Sequence, residues 1–445
     1  MNRKSASIAV ALSFVFPGLG HAYLGRRRPA LAFALPALVG GIAIGLQLLG
    51  GLDATLAYVI TPSGSMNVLV LLLLTGAWRL IAMVDVALVA RRQSGLRVPA
   101  MALTAVLLAA VIVSHGMGAW LAYNMYDAGT RIFVGEGPDG TPVPGASADA
   151  SPAPSDDFVA TPFATPETAQ SRINILLTGI DSAAGRNHAL TDTLLVVSIN
   201  PVDDSVVMLS MPRDISNFPL YDGRTFTGKI NSLMTWARNH PKDFPDGPFP
   251  TLIHELGYLI GVPIHYYAAI DLAGFTRMID EVGGVTVTNE RAINDPKYGW
   301  LDGGSGFYLK AGKVTLDGRT ALAYVRSRQG AGDSDFTRAA RQQQLLVALR
   351  AKLVSPDMIT KLPAIIQVAG DTVRTNLPTD RLEEFIGLAR GVDGDTIKRY
   401  VLGPPYAVHP PNSTTGGIYT LNLLPDRMAK LSIELFGSDS RYAGS

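Results

Sequence analysis

The sequence predicts an α/β protein: a layered domain with a central mixed β-sheet flanked by helices, preceded by an N-terminal multi-span helical membrane region. Residues 1–123 are dominated by Ala, Val, Leu and Gly, whereas residues 171–445 carry the mixed, periodic pattern of a water-exposed domain. Between them, residues 124–170 include "EGPDGTPVPGASADASPAPSDDFVATPFATPET", rich in Pro, Ala, Ser, Thr and Asp, which reads as a disordered or semi-extended tether. At 445 residues the chain has room for more than one core, and its 47% hydrophobic content averages two different solvents. It contains no Cys, so neither a disulfide nor a thiolate supports the fold or the chemistry.

In the membrane region, the apolar runs 29–50, 67–90 and 99–123 each reach the ~20 residues that a spanning helix needs. An earlier run, 8–24, contains Pro17, glycines and His21, and either spans, re-enters or lies at the interface. Orientation follows from basic residues, which are enriched in short cytoplasmic loops. "RRR" at 26–28 and "RRQSGLR" at 91–97 belong inside, while the loop "GLDATLAYVITPSGS" has no basic residue and fits the outside. The third span then delivers everything after Tyr123 to the outer side of the plasma membrane. Arg79 and Asp85 lie within the second span, six residues apart and on different sides of the helix, which argues against their pairing with each other. Arg79 is expected to snorkel, to face a neighbouring helix or to meet a lipid headgroup.

The domain at 171–445 opens with "INILLTGID", a buried strand ending in Gly and Asp. "DTLLVVSINPVDDSVVMLSMPRD" reads as a hairpin turning at "NPVDD", its second strand ending at Arg213 and Asp214. Helical periodicity follows in "TLIHELGYLIG", "LAGFTRMIDEVGG", "TALAYVRSR" and "DFTRAARQQQLLVALRAKL", with short strands "HYYAAID" and "GVTVTN" between the first three.

Although the net charge is only +1, residues 324–344, "YVRSRQGAGDSDFTRAARQQQ", concentrate Arg326, Arg328, Arg338 and Arg341 around Asp333 and Asp335. On the long helix Asp335, Arg338 and Gln342 fall at i, i+3 and i+7, with Arg341 three residues beyond Arg338, so these side chains are expected to share one face. A solvated face is the ordinary fate of such a run. Arg326 and Arg328 just upstream, with too little acid to neutralise four guanidinium groups, favour a phosphate or diphosphate site instead. Carboxylates beside such a site would hold a divalent cation, Mg²⁺ or Mn²⁺, with Asp181, Asp192 and Asp335 as suppliers. Asp214 reads equally well as a structural ion pair or turn cap.

Other chemistries lack their residues. "GRTFTGKI" at 223–230 fits the skeleton of a nucleotide-binding loop but places Ile230 where a hydroxyl must meet Mg²⁺. There is no HExxH, GxSxG or SxxK motif, and His254 and His265 read as core or surface residues. "NST" at 412–414 matches a glycosylation tripeptide with a high chance rate.

The ordered blocks "NILLTGID", "TDTLLVVSINP…VVMLSMPRD", "GKINSL", "DLAGFTRMIDEVGGVTV", "LDGRTALAYVRSR" and "DFTRAARQQQ" resemble the LytR-CpsA-Psr family over roughly residues 172–350, with weaker likeness to about 435. "PGLGHAYLGRRRPALAF" also resembles a small glycine-rich motif of some bacterial membrane proteins. The family resemblance implies an outward-facing, membrane-anchored phosphotransferase. It would move a glycopolymer of teichoic acid, capsule or arabinogalactan type from a polyprenyl-diphosphate carrier to peptidoglycan. It further implies an Arg-lined diphosphate site with carboxylate-held Mg²⁺ above an apolar pocket for the lipid. Residue by residue, the matching positions are Arg213, Arg326, Arg328 and Arg338 for the diphosphate, Gln342 for the head group, Asp181 and Asp192 for the metal, and Asp335 before the Arg helix. Lys229 of "GKIN" is a further member, and Asp192 is the first choice for the base that deprotonates a sugar hydroxyl. "TDT" stands where many members have "SDT", residues 183–190 fall where the family varies, and no C-terminal accessory domain is expected before Ser445. Two rival readings share the residues: a polyprenyl-diphosphate hydrolase at the same site, and a membrane-bound regulator of gene expression. No helix-turn-helix pattern or strongly basic domain supports nucleic acid as a partner, which disfavours the second.

Overall fold

The computed structural model describes residues 5–94, 98–133, 171–181, 190–411 and 416–443, with the backbone alone described at 93–94, 180–181 and 190–192. The chain divides into two compact units, residues 1–129 with 138–140, and residues 130–137 with 141–445.

The first unit is helical: α1 (Ala6–Val15), α2 (Leu19–Tyr23), α3 (Arg27–Leu49), α4 (Gly51–Ile60), α5 (Pro62–Ser94) and α6 (Val98–Ile132). Three segments are long and apolar enough to cross a membrane: Arg27–Leu49, Pro62–Arg92 and Val98–Ile132. The 8–24 run is not one helix. It breaks at Gly18, whose φ of 97° is left-handed and where an added Cβ would lie 2.3 Å from the Ala30 carbonyl oxygen. The segment 51–60, expected as a loop, is helix α4. Asp85 and Arg79 each meet an N-terminal partner rather than each other. Asp85 lies 2.8 Å from Nε2 of the fully buried His21, and Arg79 donates to the Phe14 carbonyl while its guanidinium sits 5.6 Å from the Phe14 ring centroid. Residues 124–132, expected in the tether, continue α6, and residues 134–170 lie outside the described residues.

The second unit is built on a six-stranded mixed sheet. Its first strands are β1 (Ile173–Asp181), β2 (Leu190–Ile199) and β3 (Val206–Ser210), followed by the ribbon β4 (Ser216–Pro219) and β5 (Thr225–Lys229). Then come α7 (Leu233–Asn239), α8 (Pro248–Ile260), β6 (Tyr266–Asp271), α9 (Leu272–Glu281), β7 (Val285–Asn289), β8 (Ile293–Gly299), β9 (Ser305–Leu309), β10 (Gly312–Leu316), α10 (Gly318–Arg326) and α11 (Asp335–Leu353). The chain closes with α12 (Leu362–Thr372), β11 (Val373–Thr375), α13 (Leu382–Gly391), β12 (Lys398–Val401), β13 (Ala407–Val408), β14 (Asn422–Leu423) and α14 (Pro425–Phe436). The sheet order is β11-β6-β1-β2-β3-β12, with β1–β6 and β3–β12 parallel and the other pairs antiparallel.

Side-chain alternation explains the near-continuous apolar strands. Leu176, Leu194, Val196, Val207 and Leu209 face one core, which α8 and α14 cover, while Ile173, Ile175, Leu195, Val206 and Met208 face the opposite side. A further core, around Ile279, Leu316, Ala321 and Leu345, joins α9, α10 and α11 to the β7–β10 ribbon. Strand β3 ends at Ser210 instead of running to Arg213 and Asp214. Pro212 has no N–H to offer a ladder, and its carbonyl instead accepts from Ile215 N at 3.2 Å as the chain turns. The rejected nucleotide loop contains strand β5, which pairs with β4.

Glu255 on α8 is fully buried: one carboxylate oxygen accepts from Tyr221 N–H at 2.9 Å and the other has no hydrogen-bond partner. Burial raises its pKa from 4.5 to about 7. The folded state therefore binds a proton more tightly than the unfolded chain does, and stability falls as pH rises from 4.5 to about 7. Glu255→Gln is expected to stabilise the protein by about 2 kcal/mol at pH 8 and to change little at pH 4, read by thermal unfolding of the detergent-solubilised chain.

Candidate functional site

A cavity of about 210 Å³ opens between β1, β6, α9, α10 and α11. Leu272, Phe275, Leu322, Val325, Leu345 and Leu346 form an apolar wall, and Arg213, Arg326, Arg328, Arg338 and Gln342 supply the polar lining. Each polar group is set by a local structural event. Arg213 follows the proline that ends β3, and Arg326 is the last residue of α10. Arg338 and Gln342 project from α11, which is started by a capping box in which Ser334 and Thr337 satisfy each other's backbone N–H. Asp271 also lines the cavity, where its side chain caps α9 by accepting from Gly274 N at 2.6 Å.

The cluster holds an excess of positive charge. Asp335 lies 3.1 Å from Arg338 and 3.9 Å from Arg328, so one carboxylate serves two guanidinium groups. Arg338 is only 9% exposed, and Arg213 has Asp214 at 3.9 Å. Gln342 Nε2 donates to the Val325 carbonyl at 3.2 Å, which ties α11 to α10 across the pocket. Such an array of planar donors above an apolar wall suits an amphiphile with a phosphate head.

Sequence reasoning missed Asp295, which fixes the loop between α10 and α11. It is 2% exposed, and one oxygen accepts from Ser327 Oγ at 2.8 Å, Arg328 N at 3.2 Å and Gln329 N at 3.1 Å. Burial works to raise its pKa, but these hydrogen bonds outweigh it and hold the carboxyl below the usual range. The signal was absent because its partners lie more than thirty residues away and "NDP" reads locally as a turn.

Two expectations are corrected. Arg341 does not share the Arg338 pocket. A step of three residues rotates ~60° around a helix, enough for α11 to act as a wall between two cavities. Arg341 lies on the other side, donating to the Ser327 carbonyl at 2.6 Å and pairing with Asp333 at 3.4 Å. Lys229 does not line the Arg cavity either: its ammonium is 2.5 Å from Asp214, making Asp214 the buried partner of a structural pair.

The side chains of Asp181 and Asp192 lie outside the described residues, but their backbone positions are informative. β1 and β2 pair Gly179 with Thr193 and Ile180 with Thr191, so Asp192 is the extra residue of a β-bulge. Gly179 and Thr193 both line the cavity, two residues from Asp181 and adjacent to Asp192 respectively. The backbone positions of Asp181 and Asp192 thus fall at one end of the paired strands β1 and β2, next to residues that line the cavity. Among the described residues no group of three or more His, Asp or Glu could hold a metal. His265 is a core residue, 3% exposed, whose Nδ1 accepts from Asn174 N–H at 2.9 Å, with burial lowering its pKa to about 4. The 412–414 tripeptide lies outside the described residues.

Comparison with known proteins bears on this geometry. The profile of the LytR_cpsA_psr family matches residues 146–440. The chain is 30% identical over 269 residues to polyisoprenyl-teichoic acid–peptidoglycan teichoic acid transferase TagU of Halalkalibacterium halodurans, a match covering 60% of this chain and 79% of that protein. It is 34% identical over 215 residues to the protein of the same name from Oceanobacillus iheyensis, covering 48% of this chain and 62% of that one. The crystal structure of B. subtilis TagV aligns with 25% identity and a TM-score of 0.48 over 60% of this chain and 97% of its own.

Proposed function

The chain belongs to the LytR_cpsA_psr family, and on that footing we propose that it transfers a glycopolymer from a polyprenyl-diphosphate carrier to peptidoglycan, anchored in the plasma membrane with residues 171–445 outside. The relatives named as teichoic acid transferases support transfer of such a polymer to peptidoglycan. The observation that carries the lipid-diphosphate donor is the joining of Arg213, Arg326, Arg328 and Arg338 to an apolar wall in one cavity. An arginine cluster alone would take any phosphate, and an apolar cavity alone any hydrophobe.

In this reading the arginines grip the diphosphate and Gln342 meets the head group, while the apolar wall takes the first part of the lipid. A sugar hydroxyl of the acceptor attacks the glycan-linked phosphorus, and the bond from that phosphorus to the bridging oxygen breaks. The leaving lipid monophosphate keeps the electron pair, its new charge stabilised by the guanidinium groups. The hydroxyl proton passes to a carboxylate, with Asp192 as the base. Asp181 and Asp192 would hold Mg²⁺ or Mn²⁺, and such an ion would supply Lewis-acid neutralisation of the phosphate charge.

The test is lipid monophosphate release by the detergent-solubilised chain given a polyprenyl-diphosphate glycan, Mg²⁺ and peptidoglycan. Release should require the acceptor and fall about 10²-fold in Arg328→Ala. Undiminished turnover in that variant sinks the site, and equal release without peptidoglycan makes the protein a hydrolase. The membrane topology has its own check: protease added to intact cells should digest residues 171–445, and protection of that region would reverse the orientation.

A further inference from the structure

On the far side of α11 from the arginine cavity lies a second one, of about 670 Å³, within the usual size range of a small-molecule site. Its chemistry differs. Where the first is walled by Leu, Ile, Val and Phe, this one is lined mainly by polar groups, including Arg291, Arg341 and Arg399. Two acids, Glu290 and Asp333, oppose these three arginines, which leaves a positive excess. Asp333 is shared, 3.4 Å from Arg341 and 3.6 Å from Arg291, so two cations lean on one carboxylate.

The positive charge is built in rather than solvated. Arg341 is 8% exposed, and its Nε and Nη1 have no hydrogen-bond acceptor, which leaves a desolvated guanidinium under-compensated. Arg291 and Arg399, by contrast, are exposed, and Arg291 is positioned by donating to the Gly332 carbonyl at 2.8 Å. A polar, cation-rich cavity of this size is unsuited to a lipid and suited to a sugar that bears an anionic group. Arg338 and Arg341, one helical step apart, line the two cavities in turn, which sets the second beside the first.

We propose that the second cavity is a saccharide subsite that takes a carboxylate- or phosphate-bearing sugar, gripped by Arg291, Arg341 and Arg399, next to the donor's diphosphate. The inference rests on the transferase reading, under which two saccharide polymers must both be brought to this domain.

The experiment is calorimetric titration of the full-length chain in detergent with three ligands: a muramic-acid-containing disaccharide, N-acetylglucosamine 1-phosphate and neutral N-acetylglucosamine. Saturable binding of a charged sugar but not the neutral one is expected, weakened about tenfold or more in Arg291→Ala/Arg399→Ala and in the charge-reversing Arg399→Glu. Because the first cavity also takes phosphate, each titration is repeated on an Arg328→Ala background, and only binding that persists there and is lost in the Arg399 variants reports on the second cavity. Preference for the carboxylated sugar assigns the subsite to the acceptor, and preference for the phosphorylated one assigns it to the donor polymer. Absence of saturable binding, equal binding of the neutral sugar, or full binding by both Arg399 variants overturns the proposal. Since the titration needs neither donor nor turnover, its failure leaves the transferase reading standing, and loss of the transferase reading leaves the titration readable.

Discussion

Arg338→Ala should lower the kcat/KM of polymer transfer about 10³-fold. Of the four arginines in the cavity, Arg338 is the most enclosed of those on α10, α11 and their connecting loop, its side chain 10% exposed against 43% for Arg328. Its charge acts where water screens least. The substitution also leaves Asp335 with only Arg328, at 3.9 Å, so a carboxylate that was neutralised becomes a repulsive neighbour of the diphosphate. Arg338→Lys restores the charge but not the planar fork and should recover only part of the loss. Steady-state transfer measured beside thermal unfolding separates the two effects. If both variants keep full activity while folded, Arg338 has no role in binding the donor.

Asp295→Ala should act on both stability and chemistry. It strips the acceptor from Ser327 Oγ and from two backbone N–H groups in a site that is 2% exposed, at a cost of about 3 kcal/mol. The same loop carries Arg328 and follows directly on Arg326, so transfer should fall about 10²-fold even where the variant remains folded. Asp295 touches no substrate in this arrangement and is a positioning residue. The distinguishing readout is the kinetic pattern: Asp295→Asn, which keeps a carbonyl acceptor, should regain most of kcat while retaining part of the rise in donor KM. A variant that is destabilised yet has unchanged kinetic constants would limit Asp295 to a structural role.

These two residues show what the sequence could and could not reveal. Arg338 was legible because its spacing from Asp335 and Gln342 is a property of a single helix, and α11 spans the residues its periodicity predicted. Strands β1, β2, β3 and β6 of the central sheet were legible as short runs rich in apolar residues, whereas its edge strands β11 and β12, half-exposed and basic, were not. Asp295 sits in β8, where "INDPKYG" has Pro and charge in place of a strand pattern and is held by pairing with β9. The remaining ribbons and the C-terminal helices were likewise invisible where tertiary contacts, not local propensity, decide them. Arg341 was misplaced because helical spacing gives relative angles but not which neighbour each angle meets. Lys229 was misplaced because a motif says nothing of a competing carboxylate such as Asp214.

One consequence reaches beyond catalysis. Arg213 comes from the turn after β3, far earlier in the chain than the α10–α11 segment that supplies the other polar groups, so the cavity exists only when the sheet and both helices are assembled. A ligand that binds there binds the native state alone, and mass action then makes the donor a guardian of the fold. At a hundred times its dissociation constant it would add about 2.7 kcal/mol to unfolding. Under the proposed function, a cell that runs short of the donor would thus leave this protein both idle and more readily unfolded, so its abundance would follow the donor's supply.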